Sequence, residues 1–409
     1  MSDERELRIV RLGAQGDGVA DREGHPVFVP FTLPGEHVLA DVSGERGRLV
    51  RILEPSAERV EPICRHFGTC GGCSVQHMSL AAYRAWKGEL VSSAFRARGI
   101  DADIADLVEP GGRRRRAAFS VERAEAGLAI GFHEAQSHVL VAITECPVLE
   151  PKIVSMLPQL GALLAPLVSK RGARLTITAT NSGLDVLLDG TERRLTPDVR
   201  SRLAAGASDL KLARLTVSND VVVETLPPFL SFGAADVVLP PDVFVQAVAE
   251  AEAEMARRIT AAVGKAKTVA DLFCGMGAFT FPLAARARIS AFDGDKDAIE
   301  ALVAASKKTS GLKPVAARVR DLFREPLSPL ELNEHDAVVF DPPRAGAEAQ
   351  AQRLAKSKVK TVVAVSCNPA TLARDARVLI DGGYKIESVT PIDQFVYSAH
   401  VEVIAVFRR

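Results

Sequence analysis

The chain has 409 residues, and its 51 lysine and arginine residues balance 51 aspartate and glutamate residues, so the formal net charge is zero. Hydrophobic residues make up 47% and charged residues 25% of the chain, which is typical of a globular protein. No uncharged apolar run reaches the roughly 18 residues of a membrane span, and the mixed-charge opening argues against a secretory signal. We therefore expect a cytoplasmic protein without a membrane partner, in about two to three domains.

Six cysteines are too few for a disulfide scaffold in a chain of this length, and their positions indicate thiols kept reduced for ligand or catalytic use. Three lie close together and a fourth follows much later. The candidates for a shared metal site are Cys64, Cys70, Cys73 and Cys146. Four thiolates suit either zinc or an iron–sulfur cluster, so the residues alone leave both open.

The first part of the chain, residues 1–57, alternates short apolar stretches with turns rich in glycine and proline. This spacing predicts a small β-barrel. The next part, residues 58–235, holds the four cysteines and a predicted helix over 79–98. Predicted β-segments follow at 116–121, 128–133, 139–143, 174–179 and 184–188. Proline pairs at 227–228 and 240–241 favour a domain boundary near 235.

In the last part, residues 236–409, apolar strands alternate with helical patterns. A helix rich in alanine and glutamate is predicted over 242–262. The predicted strands are 268–274, 289–293, 315–321, 336–341, 361–367, 385–390 and 401–407. This alternation predicts the α/β class with a doubly wound, mostly parallel sheet. In such sheets the ligand lies at the carboxyl ends of the strands, so polar residues there are the candidates for a site.

A glycine-containing turn follows the first strand of that sheet, where residues 271–277 read Asp-Leu-Phe-Cys-Gly-Met-Gly. Glycines let a ligand approach the backbone closely, but Gly-x-Gly alone is an incomplete dinucleotide fingerprint. Asp293 ends the second strand, where it is placed to accept hydrogen bonds from ribose hydroxyls. The acids before the glycines and after the second strand favour S-adenosylmethionine over NAD, with a generic nucleotide site as the alternative.

Three further positions carry candidate chemistry. Asp341 ends the fourth strand at a pair of prolines, which cannot continue a strand. Cys367 ends the fifth strand beside Pro369, which begins a helix whose N-terminus favours a thiolate. Glu402 interrupts the apolar final strand and so needs a partner or a chemical role. We predict that Cys367 is a nucleophile, whereas Cys274 is buried and structural. Taken alone, Glu402 is better explained by a salt bridge or an exposed strand end, but beside a cysteine nucleophile it becomes a candidate base.

These motifs together resemble the RNA (uracil-C5)-methyltransferases. The matching runs are residues 271–277, Asp-Pro-Pro-Arg-Ala-Gly at 341–346, Ser-Cys-Asn-Pro-Ala-Thr-Leu-Ala-Arg-Asp at 366–375 and His-Val-Glu at 400–402. Residues 7–54 resemble the N-terminal TRAM domain of that family. The spacing of the four cysteines resembles the iron–sulfur site of its 23S ribosomal RNA branch. The resemblance therefore spans nearly the whole chain.

The resemblance implies a TRAM-like β-barrel, a central β-rich domain with the cysteines, and a Rossmann-like methyltransferase domain. It implies Cys367 as nucleophile, Glu402 as base, and a [4Fe–4S] cluster rather than zinc on the four cysteines. The residues implied to contact S-adenosylmethionine are Gln246, Phe273, Asp293, Asp341 and, at a looser match, Asp321. Val248 and Ala278 stand where the family usually has Asn, which removes polar contacts near the methyl donor.

A run of four arginines at 113–116 leads into a predicted β-segment. A solvated charge run is the ordinary explanation for such a pattern. Together with four basic residues of the preceding helix, the run is the surface that we expect to contact RNA phosphates. Those helix residues are Arg84, Lys87, Arg96 and Arg98.

The implied reaction is methylation of uracil C5 in RNA, with 23S ribosomal RNA as the expected target and a monomer as the expected state. Thiolate attack on C6 makes C5 nucleophilic, a base then removes the C5 proton, and the uracil has to be reached outside any stack. A transfer RNA target is an alternative, which the cysteines and barrel disfavour because that branch typically lacks both. A non-catalytic RNA-binding or assembly protein is another, which Cys367 and Glu402 disfavour.

Overall fold

The computed structural model describes residues 3–22, 24–125, 127–191 and 195–409, and it begins with a closed five-stranded barrel. The barrel strands are β1 (Asp3–Leu12), β2 (Gly18–Arg22), β3 (His25–Val29), β4 (His37–Ser43) and β5 (Arg46–Glu54), in the order β1-β2-β3-β5-β4. Alternate residues point inward, and Leu7, Ile9, Val29 and Val38 fill the interior. The predicted barrel is confirmed.

The central part is a mixed sheet covered by two helices. Its strands are β6 (Arg116–Ala124), β7 (Gly127–His133), β8 (Leu140–Ala142), β9 (Ala173–Thr180), β10 (Gly183–Asp189), β11 (Arg214–Val217) and β12 (Asp220–Glu224), in the order β12-β11-β10-β9-β6-β7-β8. Helix α1 (Leu80–Arg96) precedes them, and α2 (Pro151–Leu164) and α3 (Pro197–Asp209) lie between them. Leu157, Leu160 and Leu164 of α2 recur at helical spacing and are buried in the core of this sheet.

The C-terminal part is a seven-stranded α/β sheet preceded by the hairpin β13 (Phe229–Phe232) and β14 (Ala235–Val238). The sheet strands are β15 (Thr268–Leu272), β16 (Arg288–Asp293), β17 (Val315–Val319), β18 (Ala337–Phe340), β19 (Thr361–Ser366), β20 (Lys385–Ile392) and β21 (Glu402–Arg408). The helices are α4 (Ala249–Val263), α5 (Thr280–Ala284), α6 (Lys296–Lys308), α7 (Pro329–Leu332), α8 (Glu348–Ala355) and α9 (Pro369–Asp381).

The strand order of this sheet is β17-β16-β15-β18-β19-β21-β20, and only β21 pairs antiparallel to both its neighbours. The doubly wound, mostly parallel sheet is thus confirmed. The chain reverses its direction of winding between β15 and β18, and open α/β sheets bind ligands beside such a point. No helix of the described residues is long and apolar enough to cross a membrane.

One predicted helix begins later than expected. The helix predicted from residue 242 begins at Ala249, and residues 242–248 are not helical. Asp242 has a φ of 58°, in the left-handed region, and follows a proline pair. The next residues, Val243, Phe244 and Val245, are β-branched or aromatic and favour extended backbone. Gln246 therefore lies on a non-helical segment, and it is buried beside the C-terminal sheet.

Helix α1 packs against the C-terminal sheet although its last residue, Arg96, precedes the first strand of that sheet, which begins at Thr268, by 172 positions. Val91, Phe95 and Ile100 are buried in the same core as the strands of that sheet. Residues 104 and 108 form isolated β-bridges with β20. The proposed boundaries near 57 and 235 stay a prediction, but this core takes residues from both sides of the second one.

A buried ion pair fixes this packing. Lys87 of α1 has no exposed surface and its Nζ lies 3.0 Å from Oδ1 of Asp393, whose side chain is 2% exposed. The same ammonium donates hydrogen bonds to the carbonyl oxygens of Phe395 and His400, and the hydroxyl of Tyr83 donates to Asp393. The expectation that Lys87 contacts RNA phosphates is wrong, because the side chain is buried and bound within the protein.

Removing the ammonium should destabilise the chain strongly. The variant Lys87→Met leaves the carboxylate of Asp393 buried without its cation, and we expect a loss of about 3–5 kcal/mol in the free energy of unfolding. Urea unfolding followed by fluorescence measures this, because the single tryptophan, Trp86, lies on the same helix. The double variant Lys87→Met/Asp393→Asn removes the unpaired charge and should recover part of the loss. A double variant no more stable than Lys87→Met would contradict the explanation.

Candidate active site

The turn after β15 forms the floor of a cleft. Gly277 has a φ of 97°, and a Cβ atom there would lie 2.8 Å from the ring of Phe281, so only glycine fits. Phe273 also has a positive φ, of 59°, which a large side chain rarely adopts. The amide of Gly275 donates to Oδ2 of Asp293 at 2.8 Å. This hydrogen bond holds the turn after β15 against the end of β16.

The cleft is a cavity of about 510 Å³ at the carboxyl ends of the parallel strands. All the residues predicted to bind the methyl donor or to react line it, together with Ala278. They are Gln246, Phe273, Asp293, Asp321, Asp341, Cys367 and Glu402. Val248 is buried beside it in the core. Residues spread over about 150 positions of sequence are therefore gathered in one cavity, while their individual roles stay predictions.

Two acids near the turn have different functions in the structure. Asp271 is buried and accepts a hydrogen bond from the hydroxyl of Thr280 at 2.6 Å. Burial, together with nearby Asp341 and Asp293, raises the pKa of Asp271 to about 7. Asp293 instead lines the cavity, and its Oδ1 accepts the amide of Asp295 at 2.8 Å. Asp293 is the acid of this pair that a ligand can reach.

A chain of hydrogen bonds crosses the cavity wall from Asp341 to Glu402. Nε2 of Gln246 donates to Oδ2 of Asp341 at 2.9 Å. Nε2 of Gln394 donates to Oε1 of Gln246 at 2.9 Å and to Oε1 of Glu402 at 3.2 Å. Gln394 was missed at the sequence level. The sequence does mark this position, because Asp393 and Gln394 are a polar pair directly after the apolar end of β20.

The reactive groups lie in an acidic, poorly solvated setting. Burial raises the pKa of Glu402 and that of Asp341, and the carboxylate of Asp341 raises the pKa of Glu402 further. Burial, then Glu402 and Asp341, raises the pKa of Cys367 to about 11, although Arg344 opposes this shift. The raised pKa of Cys367 does not meet the expectation of a favoured thiolate at the start of α9, because burial and these carboxylates outweigh the helix N-terminus.

The four predicted ligand cysteines line a second, smaller cavity of about 60 Å³. Each has a free thiol, and burial raises the pKa of Cys146 to about 11. Across the described ranges, which exclude only residues 1–2, 23, 126 and 192–194, no three His, Cys, Asp or Glu side chains form a group that could hold a metal ion. Cys146 nevertheless lies beside the three clustered cysteines, as the sequence predicts.

The segment that carries these cysteines contacts the loop that leads to Glu402. The amides of Ser74 and Val75 both donate to the carbonyl oxygen of Tyr397, at 2.8 and 3.2 Å. Arg114 lines the cysteine cavity and places its guanidinium 5.5 Å from the ring centroid of Phe395. Two independent contacts therefore connect the small cavity with the loop over residues 393–400.

The arginine run is mostly structural. Arg115 is 6% exposed, pairs with Glu252 at 2.6 Å and donates to the carbonyl oxygen of Gln246. Arg116 pairs with Asp242 at 2.9 Å. Both side chains connect the central sheet to residues 242–252. The prediction that the whole run contacts phosphates is therefore wrong for Arg115 and Arg116. Arg113 is exposed and stays a candidate.

The exposed arginines of α1 complete this surface. Arg84 pairs with Glu109 at 2.5 Å, and Arg96 pairs with Glu89, so acidic neighbours offset both charges. Arg98 is exposed just beyond the end of the helix. The basic surface is accordingly weaker than the sequence predicts.

Comparisons with known proteins relate the chain to RNA-modifying enzymes. A family model described as tRNA (Uracil-5-)-methyltransferase matches residues 211–409. An uncharacterized RNA methyltransferase of Rhizobium meliloti is 48% identical over 412 residues, covering 98% of this chain and 99% of that protein. The 23S rRNA (uracil(1939)-C(5))-methyltransferase RlmD of Vibrio vulnificus is 29% identical over 426 residues, covering 100% of this chain and 97% of that protein.

One solved structure has the same fold over its whole length. The tRNA (uracil-54, C5)-methyltransferase of Pyrococcus abyssi, in complex with S-adenosyl-L-homocysteine, superimposes with a TM-score of 0.75 at 22% identity. The match covers 98% of this chain and 99% of that chain. The arrangement of barrel, central sheet and α/β sheet is thus shared by both proteins.

Proposed function

We propose a function on the premise that this chain belongs to the RNA (uracil-C5)-methyltransferase family: it methylates C5 of uracil in RNA, with S-adenosylmethionine as the methyl donor. The observation that carries the proposal is that Cys367 and Glu402 line the same cavity as the glycine turn and Asp293. A nucleophile, a base and a nucleoside-type site are what this reaction requires in one place. The cavity of about 510 Å³ lies in the usual range for small-molecule sites.

In the proposed reaction, the thiolate of Cys367 adds to C6 of uracil, and the electrons of the ring double bond move to form an enolate. C5 then takes the methyl group from the sulfonium, which leaves as a neutral thioether. Glu402 removes the C5 proton, the double bond re-forms, and the thiolate is expelled. The raised pKa of Glu402 makes its carboxylate a stronger base than an exposed one.

The raised pKa of Cys367 is compatible with this role. A cation placed near a thiol favours the thiolate and lowers its pKa. S-adenosylmethionine supplies the methyl group and one positive charge when bound. We propose that the thiol of Cys367 loses its proton only in the loaded cavity, which limits side reactions of the thiolate in the free enzyme.

The trapping experiment tests the two catalytic roles separately. Cys367→Ala should abolish both methyl transfer and any covalent RNA adduct, because no bond to C6 can form. Glu402→Gln removes the base and keeps the size of the side chain, so one methyl transfer should occur and the product should stay bound to Cys367. A denaturing gel detects the adduct as a shifted band, and RNA carrying 5-fluorouridine provides the control with the unaltered enzyme. An adduct formed by Cys367→Ala would rule out this nucleophile.

The finer proposal is that the target lies in 23S ribosomal RNA. It is supported by the resemblance over the full length to RlmD, and by the four cysteines around one cavity. The barrel does not distinguish the targets, because the tRNA enzyme of Pyrococcus abyssi has the same fold over the whole chain. A transfer RNA uridine is therefore the second candidate.

Mapping 5-methyluridine in total RNA separates these targets. In cells that lack the gene, we expect one 5-methyluridine to disappear from 23S ribosomal RNA while transfer RNA is unchanged. Restoring the gene should restore the modification, and restoring Cys367→Ala should not. Loss of 5-methyluridine from transfer RNA alone would support the second candidate instead.

We further propose that the four cysteines hold a [4Fe–4S] cluster. Each iron of such a cluster takes one thiolate, so the four sulfur atoms need not converge on a single point as they do around zinc. The proposal is supported by the position of the four cysteines around one small cavity.

Iron analysis tests this assignment. Protein purified without oxygen should be brown and contain about four irons per chain. Cys146→Ser should lower the iron content and the thermal stability together, because metal binding and folding are coupled. Cys274→Ser changes a buried cysteine outside the small cavity and should keep its iron. Stoichiometric zinc without iron would overturn the cluster.

A further inference from the structure

The side-chain amide of Gln394 is the hub of the hydrogen-bond chain in the cavity wall. The residue is 1% exposed, and all three of its described side-chain hydrogen bonds stay inside the protein. Its Oε1 accepts the backbone amide of Val248 at 3.2 Å. Its Nε2 donates to Gln246 and to Glu402. Because Val248 provides a donor, the oxygen of Gln394 has to face it, and the nitrogen is left facing both acceptors.

This fixed orientation determines those of the neighbours. Gln246 receives the Gln394 N–H on its Oε1, so its own nitrogen faces Asp341. Glu402 receives the Gln394 N–H on Oε1, whereas its Oε2 is buried and has no hydrogen-bond partner among the residues that the structure describes. A buried carboxylate oxygen without a partner is costly, and such atoms occur where a function requires them.

We propose that Gln394 is a positioning residue that holds Oε1 of Glu402 and leaves Oε2 open to accept the C5 proton. The same amide sets the orientation of Gln246, so the base and the donor side of the cavity share one hydrogen-bond chain. This inference rests on the proposed uracil-C5 reaction. It assigns to that reaction a further residue, Gln394, which touches neither reacting atom and acts through Glu402.

The charges around Glu402 determine how the loss of Gln394 changes the pKa of Glu402. Asp341 faces it from the end of β18, Cys367 from the end of β19, and Lys87 from α1. Asp341 raises the pKa of Glu402, while Lys87 and the Gln394 hydrogen bond lower it. Without that bond the pKa of Glu402 rises further, and the carboxylate is present only at higher pH. The acid side of the pH profile should then move to higher pH.

The test uses Gln394→Met, which removes the amide at similar volume, and Gln394→Glu, which keeps the shape but replaces the donor nitrogen. We expect the turnover number to fall about tenfold or more, as for loss of a hydrogen bond to a charged group. The covalent Cys367–RNA adduct should accumulate with its methyl group already transferred, because only elimination is slowed. RNA with deuterium at C5 should show a larger isotope effect in the variants than in the unaltered enzyme.

The matched control is Gln350→Met. Gln350 is also buried, but among the described residues its amide bonds to the backbone of Leu327, and neither residue lines the cavity. Its loss should reduce stability without adduct accumulation, a shifted pH profile or a larger isotope effect. If the Gln394 variants lose activity in the same manner as the control, Gln394 is merely structural and the inference is wrong.

Failure of the proposed function gives a different result. If the unaltered enzyme produces no 5-methyluridine and forms no adduct with 5-fluorouridine RNA, the reaction itself is wrong and the inference falls with it. If the unaltered enzyme does both, and the Gln394 variants keep its adduct level, pH profile and isotope effect, only the inference is overturned.

Discussion

The buried contact between the Lys87 ammonium and the Asp393 carboxylate positions the loop that precedes β21, the strand that carries Glu402. One ammonium neutralises the carboxylate and also donates hydrogen bonds to two carbonyl oxygens of that loop. Gln394 follows Asp393 directly and Glu402 begins β21, so their positions depend on this anchor. An isolated buried charge is expensive, and the pair is stable because every group around it is hydrogen-bonded. The large cavity at the ends of the sheet strands therefore depends on a helix that contributes no residue to its described lining.

The cavity itself concentrates groups that repel one another when ionised. Two carboxyl groups and a thiol are gathered at the ends of β18, β19 and β21, where little water screens them. Burial and this repulsion raise their pKa values, so the protein by itself favours their neutral forms. A cationic ligand reverses this balance. The electrostatics of the chain alone thus already favour a positively charged occupant, which is the character of a sulfonium donor.

Much of this arrangement was predictable from sequence, for clear physical reasons. The sheet follows from the alternation of apolar strands with helices, and the site follows because strand ends meet at one edge. Gln246 was predicted on a helix but lies before it, because β-branched residues after a proline pair favour extended backbone. The sequence predicts Lys87 and Arg115 on the surface. It does not reveal that Asp393 lies opposite Lys87 and that Glu252 lies opposite Arg115. The polar pair Asp393 and Gln394 after β20 marks this position in the sequence, but the three partners that give Gln394 its importance are distant in sequence or depend on the fold.

The pairing of Lys87 with Asp393 also has a consequence for how the chain matures on the ribosome. The two residues are 306 positions apart. At synthesis rates of about 5–20 residues per second, roughly 15 to 60 s pass between them. During that interval the apolar face of α1 has no sheet to cover it, and its lysine has no counter-ion. The barrel and central sheet can form early, but the catalytic half closes around α1 only after nearly the last residue has been made.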